Sequence, residues 1–418
     1  MAEASSNIPT PTSPAPMPQF RNLVYCADVT GTGWWRHMVQ TIQSNVMCRA
    51  TGELNTYTQT PICDPNYYVG LNSVTIQRWQ SDFHRNFVEK FLRPVTQQTR
   101  TALIYEIDDA MGGDDIPLFN RGHDAFAQPN VQENIKYLLG VSDFVVVTTK
   151  YIKDYYHRRY GVPMEKLVAV PNLLPRWWYG DRYDPERKVA QFNHYKTRPR
   201  VGIISSGSHY NLNQVKDKDG NPVKDDFDEI ADLVRSTTDD FQWVVLGHVP
   251  PQIHDLAVAK KVQCYPPCTI LQYPSALEHM ELQAVVAPIQ DIEFNRCKSH
   301  IKYMECAAEG IPLFATKCTP YTEVMPEAQL FKTQDELKDK LKKLKFGSAG
   351  VYRKIIEAQW EWLNREKDDG DFHIKNSWLD DNMDVWHPLF QLVPNPNVNP
   401  QPVKPTISLE DTEHGTTA

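Results

Sequence analysis

The sequence has no apolar run long enough for a membrane-spanning helix. Within its 418 residues no stretch approaches the roughly 18 to 20 apolar residues that such a helix needs. Residues 1–18 are rich in Pro, Ser and Thr and lack the basic start and apolar centre of a signal peptide, so we expect a flexible tail there. We therefore expect a soluble, cytoplasmic protein.

A general excess of basic residues is also absent. The chain carries 44 Lys and Arg residues against 52 Asp and Glu residues, and its formal net charge is -8. Proteins that bind nucleic acid through a sequence-wide electrostatic field normally show a basic excess. The composition excludes such a field, although it is compatible with a local basic patch.

The cysteines form no disulfide framework. The chain has 8 of them, scattered along its length, which indicates reduced and mostly buried thiols in a cytoplasmic protein. Cys264 and Cys268 flank Tyr-Pro-Pro, and no second Cys or His pair stands at the spacing of a structural zinc site. We therefore predict no metal site here.

What the sequence does contain is a repeated alternation of short apolar strands and helices. A strand at residues 21–28 runs into a glycine turn at Gly31 and Gly33, and a helix begins near Trp35. The third glycine of the dinucleotide fingerprint is missing, and no acidic residue ends a clear second strand. This pattern predicts a Rossmann-like α/β unit without a nicotinamide cofactor.

The same alternation continues along the chain and predicts two Rossmann-like domains, both of the α/β class. Short connections between strands and helices require right-handed crossovers and parallel sheets. We expect an N-terminal domain at residues 19–197 and a second domain at 198–375, facing each other across a cleft. A helix at 376–392 is expected to pack back on the first domain, and the composition of residues 393–418 leads us to expect a disordered tail.

An anion-binding helix is predicted within residues 295–316. Ser299, Lys302 and Glu305 follow one another at three-residue spacing, and Gly310 and Pro312 end the helix. A serine cap, the helix dipole and a lysine attract phosphate, and a glutamate further along can accept from a sugar hydroxyl. The alternative is a solvated Lys–Glu pair on a helix surface.

Five motifs occur in the order found in a known enzyme family. The segment MECAAEGIP at residues 304–312 corresponds to Glu-Ala-x-Ala-x-Gly-x-Pro, with Cys306 in place of the first alanine. The others are the glycine turn followed by aromatic residues and Arg36, the strand end YEIDD at 105–109, the turn SGSH at 206–209, and a tryptophan-rich terminal helix. Over roughly residues 20–390 they resemble the large retaining family of GT-B glycosyltransferases, in particular a subset that includes bacteriophage enzymes.

The resemblance implies a nucleotide-diphosphate sugar as co-substrate, retention of configuration, and no requirement for a divalent metal or a tightly bound cofactor. It places donor contacts on the glycine turn, on the turn after the first strand of the second domain, and around the anion-binding helix. The implied donor-binding residues are Gly31, Thr32, Gly33, Ser206, Gly207, Ser208, His209, Gly247, Arg296, Lys298, Ser299, His300, Ile301, Lys302 and Glu305. Lys302 is also a catalytic candidate, because it can stabilise the leaving phosphate, which is itself expected to take the acceptor proton.

Several of these residues could instead have a purely structural role. A tight strand-to-helix turn favours glycine in any protein. His209 could lie on the surface, and Arg296 and Lys298 could form a solvated rim. The family also commonly has a second glutamate eight residues before the position aligned with Glu305, where this sequence has Cys297, so the transferred sugar is undefined.

Asp108 and Asp109 are the candidates for orienting or deprotonating the acceptor hydroxyl. Carboxylates at a strand end in a closing cleft can have a raised pKa. They could instead cap the following loop, or hold a divalent metal together with Glu106, although the enzymes that the sequence resembles mostly work without one.

Three residues after the glycine turn are candidates for acceptor binding. Trp34, Trp35 and Arg36 could stack on a sugar or a base, or simply begin the helix core.

The leading hypothesis is a glycosyltransferase that moves a sugar to a hydroxyl acceptor. The likeness to phage enzymes makes a hydroxymethylated pyrimidine such as 5-hydroxymethylcytosine in double-stranded DNA an attractive acceptor, in the host cytoplasm if the protein is phage-encoded. A cell-surface or lipid-linked glycan is the alternative, and the basic stretch at residues 337–347 could serve a membrane, a DNA backbone or neither. A sugar-nucleotide epimerase, a hydrolase and an inactive sugar-nucleotide binder also stay open.

Overall fold

A computed structural model of the protein describes residues 21–28, 31–47, 56–180 and 182–390. The tails expected at residues 1–18 and 393–418 lie outside the described residues. No helix in the described ranges is both long and apolar enough to cross a membrane.

The first half of the chain forms a six-stranded parallel sheet in the order β2-β1-β3-β4-β5-β6. Its strands are β1 (Asn22–Tyr25), β2 (Thr56–Thr58), β3 (Ser73–Gln77), β4 (Ala102–Glu106), β5 (Phe144–Val147) and β6 (Leu167–Ala169). The central strands β3 and β4 are buried along their whole length. Burial on both faces explains why β4 reads as an almost continuous apolar run.

Helices cover both faces of this sheet. They are α1 (Gly31–Gly33), α2 (Val39–Met47), α3 (Asp82–Phe87), α4 (Arg93–Thr99), α5 (His123–Phe126), α6 (Pro129–Val141) and α7 (Lys150–Tyr160). Single π-helical turns at Trp34–Met38 and Val88–Leu92 join α1 to α2 and α3 to α4, and short 3-10 turns lie at Pro65–Tyr68, Gly113–Asp115 and Met164–Lys166. The π turn after α1 lies beside the glycine turn, and such turns are common near functional sites.

The second half forms another six-stranded parallel sheet, in the order β12-β11-β10-β7-β8-β9. Its strands are β7 (Arg200–Ser205), β8 (Gln242–Gly247), β9 (Gln263–Tyr265), β10 (Ala284–Ala287), β11 (Leu313–Thr316) and β12 (Leu330–Phe331). The segment between the two sheets contains α8 (Arg176–Tyr179) and α9 (Pro185–His194).

The remaining elements surround the second sheet and return to the first. The helices are α10 (Ala231–Ser236), α11 (His254–Val258), α12 (Tyr273–His279), α13 (Glu293–Arg296), α14 (Ile301–Glu309), α15 (Gln334–Phe346), α16 (Ala349–Asn364) and α17 (Met383–Phe390). Short 3-10 turns lie at Gly207–His209, Pro251–Ile253, Ile270–Gln272, Tyr321–Glu323, Glu327–Gln329 and Leu379–Asp381, and β13 (Lys367–Asp369) pairs with β14 (Phe372–Ile374) in a hairpin.

The C-terminal elements contact the first domain. In the hairpin turn, the backbone N–H of Asp371 donates to the carbonyl of Ala169 at 2.8 Å, and the Ala169 N–H donates to the Asp371 carboxylate at 2.8 Å. Helix α17 packs on α2, and the guanidinium of Arg36 lies 5.0 Å from the ring centre of Trp386. The β13–β14 hairpin and α17 thereby join the C-terminal part of the described chain to the first domain.

A shared hydrophobic core joins the two sheets. One cluster of buried side chains contains first-domain residues such as Trp34 and Ile104 together with second-domain residues such as Met304, Ala308 and Leu313. Cores that pack at crystal-like density hold their elements in one relative position. The two halves therefore present a defined cleft to a ligand.

Helix α15 carries the basic stretch that the sequence offered as a membrane or DNA contact. Its apolar residues Leu337, Leu341 and Leu344 are buried in the core of the second domain, and Lys345 donates to Asp240 at 2.8 Å. The apolar face is therefore occupied by the protein itself, and the structure favours an ordinary packed surface helix.

The glycine turn offers a matched pair of substitutions. A Cβ built on Gly33 would lie 1.8 Å from the backbone oxygen of Asp28, whereas one on Gly31 meets no described atom within 4 Å. Because the clash is with backbone, we expect Gly33→Ala to destabilise the protein by about 1–3 kcal/mol and Gly31→Ala to change stability by less than about 0.5 kcal/mol. Urea unfolding of both variants checks this, and equal stabilities would contradict the close approach.

Candidate functional site

The carboxyl ends of the two sheets meet across the cleft. Lys298 donates to an oxygen of Asp109 at 2.6 Å, and the side-chain amide of Asn172, which follows β6, donates to the Ser299 hydroxyl at 2.9 Å. A third bridge joins the Asn120 amide to the carbonyl of Ser208 at 3.2 Å. Ligands of open parallel sheets bind at such strand ends, so this cleft is the candidate site.

Arg78 organises the carboxylates at the end of β4. It directly follows β3, and its guanidinium donates to both Asp108 and Asp109. Its backbone has a φ of 51°, a conformation that is uncommon outside glycine. Sequence patterns did not single out Arg78, although its place directly after a predicted strand was an available signal.

The two aspartates have opposite ionisation behaviour. Burial raises the pKa of Asp108 to about 6, with Glu106 and Asp109 adding to the effect and Arg78 opposing it. For Asp109 burial also opposes ionisation, but Lys298 and Arg78 outweigh it and hold the pKa below its ordinary value. Asp108 can therefore change its charge near neutral pH, whereas Asp109 stays a carboxylate held between two cations.

Glu106, the third acidic residue of this strand end, is fully buried. One of its oxygens accepts from Arg36 at 2.7 Å, and the other lies 3.5 Å from the Nε2 atom of His37. Burial opposes its ionisation, yet Arg36 and His37 lower its pKa to about 2. Because Glu106 is engaged in the core, it is not arranged with the two aspartates for a metal, and the described residues contain no group of three or more His, Cys, Asp or Glu suited to one.

A second polar cluster stands at the start of α14. The ammonium of Lys302 donates to Glu305 and to the Tyr273 hydroxyl, each at 2.9 Å, and that hydroxyl donates to the same Glu305 oxygen at 2.9 Å. Glu305 is buried and Lys302 is one fifth exposed. The cluster thus contains a fixed carboxylate acceptor and a cation that can reach a ligand. Tyr273 was missed because it lies on α12, far away in sequence.

The expected serine cap of this helix is wrong. The helix begins at Ile301 after His300, and His300 makes no side-chain cap. Ser299 instead accepts from Asn172 of the first domain. His300 lies with its Nε2 atom 3.3 Å from a carboxylate oxygen of Asp369 in the C-terminal hairpin, so the start of α14 is held by tertiary contacts.

The turn after β7 is held by a buried carboxylate. The Nδ1 atom of His209 lies 2.7 Å from Asp226, whose other oxygen accepts from the Gln290 N–H and the Asn295 amide, each at 2.8 Å. His209 is therefore ordered by the core of its domain and is not a free surface side chain.

Two glycines make room beside this turn. A Cβ on Gly207 would meet a methyl group of the Leu212 side chain at 2.8 Å, so that side chain would have to shift. Gly247 at the end of β8 has a φ of +101°, which a larger residue would adopt only with strain. Ser206 precedes the turn at its N-cap. The structure brings these residues and Ser208 to the cleft, and their donor contacts stay a prediction.

Arg296 and Cys297 lie behind the cleft wall. The guanidinium of Arg296 donates to Asp291 at 2.7 and 3.1 Å on the surface. Cys297 is fully buried in the core cluster of the first domain, and burial raises the pKa of its thiol well above the ordinary value. A buried neutral thiol acts as a small apolar residue, so position 297 offers no carboxylate that could accept from a sugar hydroxyl.

The residues after the glycine turn are largely internal. Arg36 is fully buried, and besides Glu106 its guanidinium donates to the Val170 carbonyl at 2.8 Å and to the Asn172 side-chain oxygen at 2.9 Å. Trp34 is buried and Trp35 is half-buried. Arg36 is therefore a core residue whose guanidinium is bonded within the protein, so it is not available to contact an acceptor.

The glycine turn itself is fixed by polar contacts. The N–H of Gly33 donates to Asp28 at 3.2 Å, and the Gln77 amide donates to the carbonyl of Thr32 at 3.4 Å. Gln77 ends β3, next to Arg78. The turn therefore lies at the same edge of the first sheet as the two aspartates.

Solved structures with a similar arrangement of two α/β domains are known. A glycosyltransferase from Rickettsia africae ESF-5 superposes with a TM-score of 0.51 at 11% identity, over 89% of this chain and 98% of that chain. HepE from Anabaena in complex with UDP superposes with a TM-score of 0.51 at 9% identity, over 82% of this chain and 98% of that chain. This chain has the GT-B fold. No family model and no curated protein matches it by sequence.

The GT-B fold explains why the site is split between two domains. Two Rossmann-like domains face each other, and their strand ends supply the two walls of one cleft. A further solved structure of HepE, in complex with UDP-glucose, superposes with a TM-score of 0.50 at 10% identity, over 82% of this chain and 98% of that chain.

The Asp109–Lys298 pair that crosses the cleft predicts a pH-dependent coupling. Both side chains are less than one quarter exposed, so in a double-mutant cycle with Asp109→Asn and Lys298→Met we expect a coupling of about 1 kcal/mol or more. Because the pKa of Asp109 is lowered in the folded state, this stabilisation is present above its ordinary pKa and disappears as the pH falls through the folded value. Urea unfolding of the four proteins of the cycle at pH 7 and at pH 3 measures the coupling free energy at each pH.

The exposed pair Lys317–Glu327, at 2.6 Å, is the control for this cycle. Solvent screens a surface pair, so its coupling should be the smaller of the two at pH 7. A coupling for Asp109 and Lys298 that is no larger at pH 7, or that does not decrease between pH 7 and pH 3, would contradict the assignment.

Proposed function

We propose that this protein is a glycosyltransferase that transfers a sugar from a nucleotide-diphosphate sugar to a hydroxyl acceptor in the interdomain cleft. The observation that carries the proposal is the pair of facing clusters, with Lys302, Glu305 and Tyr273 on the second domain and Arg78 with its aspartates on the first. The GT-B fold supports it, as does the fact that HepE, which is similar in fold, binds UDP and UDP-glucose.

Each residue of the second-domain cluster has a separate task in this proposal. Lys302 and the first N–H groups of α14 bind the diphosphate, because a helix N-terminus and an ammonium both attract phosphate oxygens. Glu305 accepts from the ribose hydroxyls of the nucleotide. Tyr273, whose hydroxyl donates to Glu305, fixes the orientation of that carboxylate.

Transfer breaks the bond between the anomeric carbon and the diphosphate oxygen and forms a bond from that carbon to the acceptor oxygen. Lys302 stabilises the negative charge that develops on the departing diphosphate. We infer retention of configuration, in which the leaving phosphate takes the proton of the acceptor hydroxyl. Asp108, as a carboxylate, accepts a hydrogen bond from that hydroxyl and orients it toward the anomeric carbon.

We propose that the protein acts in the cytoplasm and that its acceptor belongs to one of two classes, which can be compared directly. A hydroxymethylated pyrimidine in double-stranded DNA follows from the sequence resemblance to phage enzymes. A cell-surface or lipid-linked glycan is the alternative. Incubation with several sugar nucleotides and each acceptor class, followed by mass analysis of the digested product, identifies the sugar and the acceptor together.

Donor binding is the first test of the proposal. Lys302→Ala and Glu305→Gln each remove an interaction with a charged group, so we expect each to weaken binding of UDP-glucose by about 10- to 100-fold in calorimetry. Melting temperatures recorded alongside show whether the fold is kept.

Lys317→Ala and Glu327→Ala are the matched controls for donor binding, because they alter a more exposed Lys–Glu pair whose hydrogen bond does not involve Lys302, Glu305 or Tyr273. They should leave the affinity unchanged. Unaltered affinity of both cleft variants would overturn the donor site.

The raised pKa of Asp108 predicts how the rate of transfer depends on pH. The pKa of about 6 belongs to a group that must be ionised to accept from the hydroxyl, so kcat should fall as the pH drops below about 6. Asp108→Asn cannot ionise, and we expect it to lower transfer by about 100-fold and to abolish this acidic limb while leaving UDP-glucose affinity intact.

The control for this experiment is Asp114→Asn, on the loop that follows β4. The Asp114 carboxylate is almost fully exposed, and its substitution should keep both the rate and the pH profile of the unmodified protein. An acidic limb that persists in Asp108→Asn would remove Asp108 from the mechanism.

A further inference from the structure

The ion pair between Asp109 and Lys298 crosses the cleft between the proposed donor and acceptor groups. Lys298 belongs to the second domain and stands three residues before α14, whose first N–H groups bind the diphosphate in the proposed function. Asp109 belongs to the first domain and directly follows Asp108, which orients the acceptor hydroxyl. The ammonium and the carboxylate are 2.6 Å apart. The pair therefore connects the two places between which the sugar is transferred.

The transferred sugar has to lie beside this pair. In the proposed reaction its anomeric carbon is bonded to the diphosphate at the start of α14, and the acceptor oxygen on Asp108 is directed at that carbon. The pair of Asp109 and Lys298 and the neighbouring hydrogen bond from Asn172 to Ser299, at 2.9 Å, span the same gap. A sugar ring between the diphosphate and Asp108 therefore contacts the pair.

Lys298 is the residue of its segment that faces the cleft. Asn295 is buried and donates to Asp226 within the second domain. Cys297 is buried in the core of the first domain, and Arg296 donates to Asp291 on the surface. The charged group that residues 295–298 present to a sugar is therefore the Lys298 ammonium.

Both members of the pair keep hydrogen-bonding capacity for a ligand. The side chains of Lys298 and Asp109 are 24% and 17% exposed, so they can be reached from the cleft. An ammonium has three N–H donors, and within the described ranges that of Lys298 makes one hydrogen bond, to Asp109. The Asp109 carboxylate has about four acceptor positions, of which Lys298 and Arg78 each occupy one. Donors and acceptors thus stand side by side.

The pair is held in position by the first domain. The backbone carbonyl of Asp109 accepts from the Tyr156 hydroxyl at 2.7 Å, and its carboxylate accepts from Arg78. The Lys298 ammonium lies 4.1 Å from the ring centre of Phe294, and that ring is buried in the core of the first domain. Groups that are already ordered lose little freedom when a ligand binds, which favours affinity.

We propose that Asp109 and Lys298 determine donor specificity by binding two adjacent hydroxyl groups of the transferred sugar. One hydroxyl donates to the Asp109 carboxylate, and its neighbour accepts from the Lys298 ammonium. Hydrogen bonds to charged groups are the stronger kind, and a site built to bond a hydroxyl discriminates strongly against a substrate that lacks it. The ligand class is a neutral sugar with two adjacent free hydroxyls. This inference rests on the proposed transferase function.

The test compares the binding of UDP and of UDP-glucose by calorimetry in the full chain, because the difference between the two affinities reports the contribution of the sugar. The variants are Asp109→Asn and Lys298→Met. Melting temperatures show whether each variant keeps its fold. Asp109→Asn has nearly the same shape as the original residue, so it tests the proposal even where Lys298→Met does not fold.

Asp143→Asn is the matched control. Asp143 is likewise a first-domain aspartate bonded to an arginine, since it accepts from Arg93 at 2.7 and 2.8 Å. It directly precedes β5, and therefore lies at the end of the first sheet opposite the cleft.

Deoxygenated donors locate the contact. Analogues of UDP-glucose that lack the hydroxyl at C2, C3, C4 or C6 of the glucose are titrated into the unmodified protein and into Asp109→Asn. Removing both partners of one hydrogen bond costs less than the sum of the two single removals. The loss caused by Asp109→Asn should therefore disappear for one of the four analogues.

We expect Asp109→Asn and Lys298→Met each to weaken binding of UDP-glucose by about tenfold or more. Asp109→Asn should bind UDP as the unmodified protein does, and Asp143→Asn should bind both ligands normally. Equal losses for UDP and UDP-glucose in Asp109→Asn would mean that the pair only holds the domains together, and would overturn the inference. Unchanged affinity for UDP-glucose, or additive losses for all four analogues, would overturn it as well.

The same titrations separate this inference from the proposed function. If neither UDP nor UDP-glucose binds the unmodified protein, the transferase proposal fails and the inference fails with it. If UDP-glucose binds in a manner that depends on Lys302 and Glu305 but not on Asp109 and Lys298, the transferase proposal stands and the inference is wrong.

Discussion

Three carboxylates lie close together at the end of strand β4, and the organisation of the cleft depends on the cations that offset their mutual repulsion. Glu106 is paired with Arg36 in the core, and Asp108 and Asp109 share Arg78. The last cation, Lys298, comes from the other domain. Since buried carboxylates require compensating charge, this requirement ties the domains together at the point where a substrate would bind.

The same arrangement divides the chemistry between neighbouring residues. Asp109 receives two cations and stays ionised, whereas Asp108 shares one cation with it, lies beside two other carboxylates, and has a raised pKa. Adjacent residues of one type thus acquire different properties from their surroundings. On the other wall, Glu305 is oriented by Tyr273 and Lys302, so each wall of the cleft carries a carboxylate positioned by a fixed donor.

Much of the fold could be predicted from local pattern. The apolar runs at β1, β4 and β7, the glycine turn and the Gly310 helix end are local signals, and the two parallel sheets follow from the order of strands and helices. The prediction of a serine cap was wrong because the Ser299 hydroxyl instead accepts a hydrogen bond from Asn172, which is distant in sequence. Arg78 and Tyr273 were missed for the same reason, since each acquires its place only through a partner on another element.

By itself the sequence determined that the chain forms two α/β units with strand-end carboxylates and a cationic helix start, because these depend on residue periodicity and near neighbours. Only the tertiary structure decided that Asp108 can titrate near neutral pH and that Arg36 belongs to the core. Those properties depend on burial and on charges brought together from distant segments, which no local pattern contains.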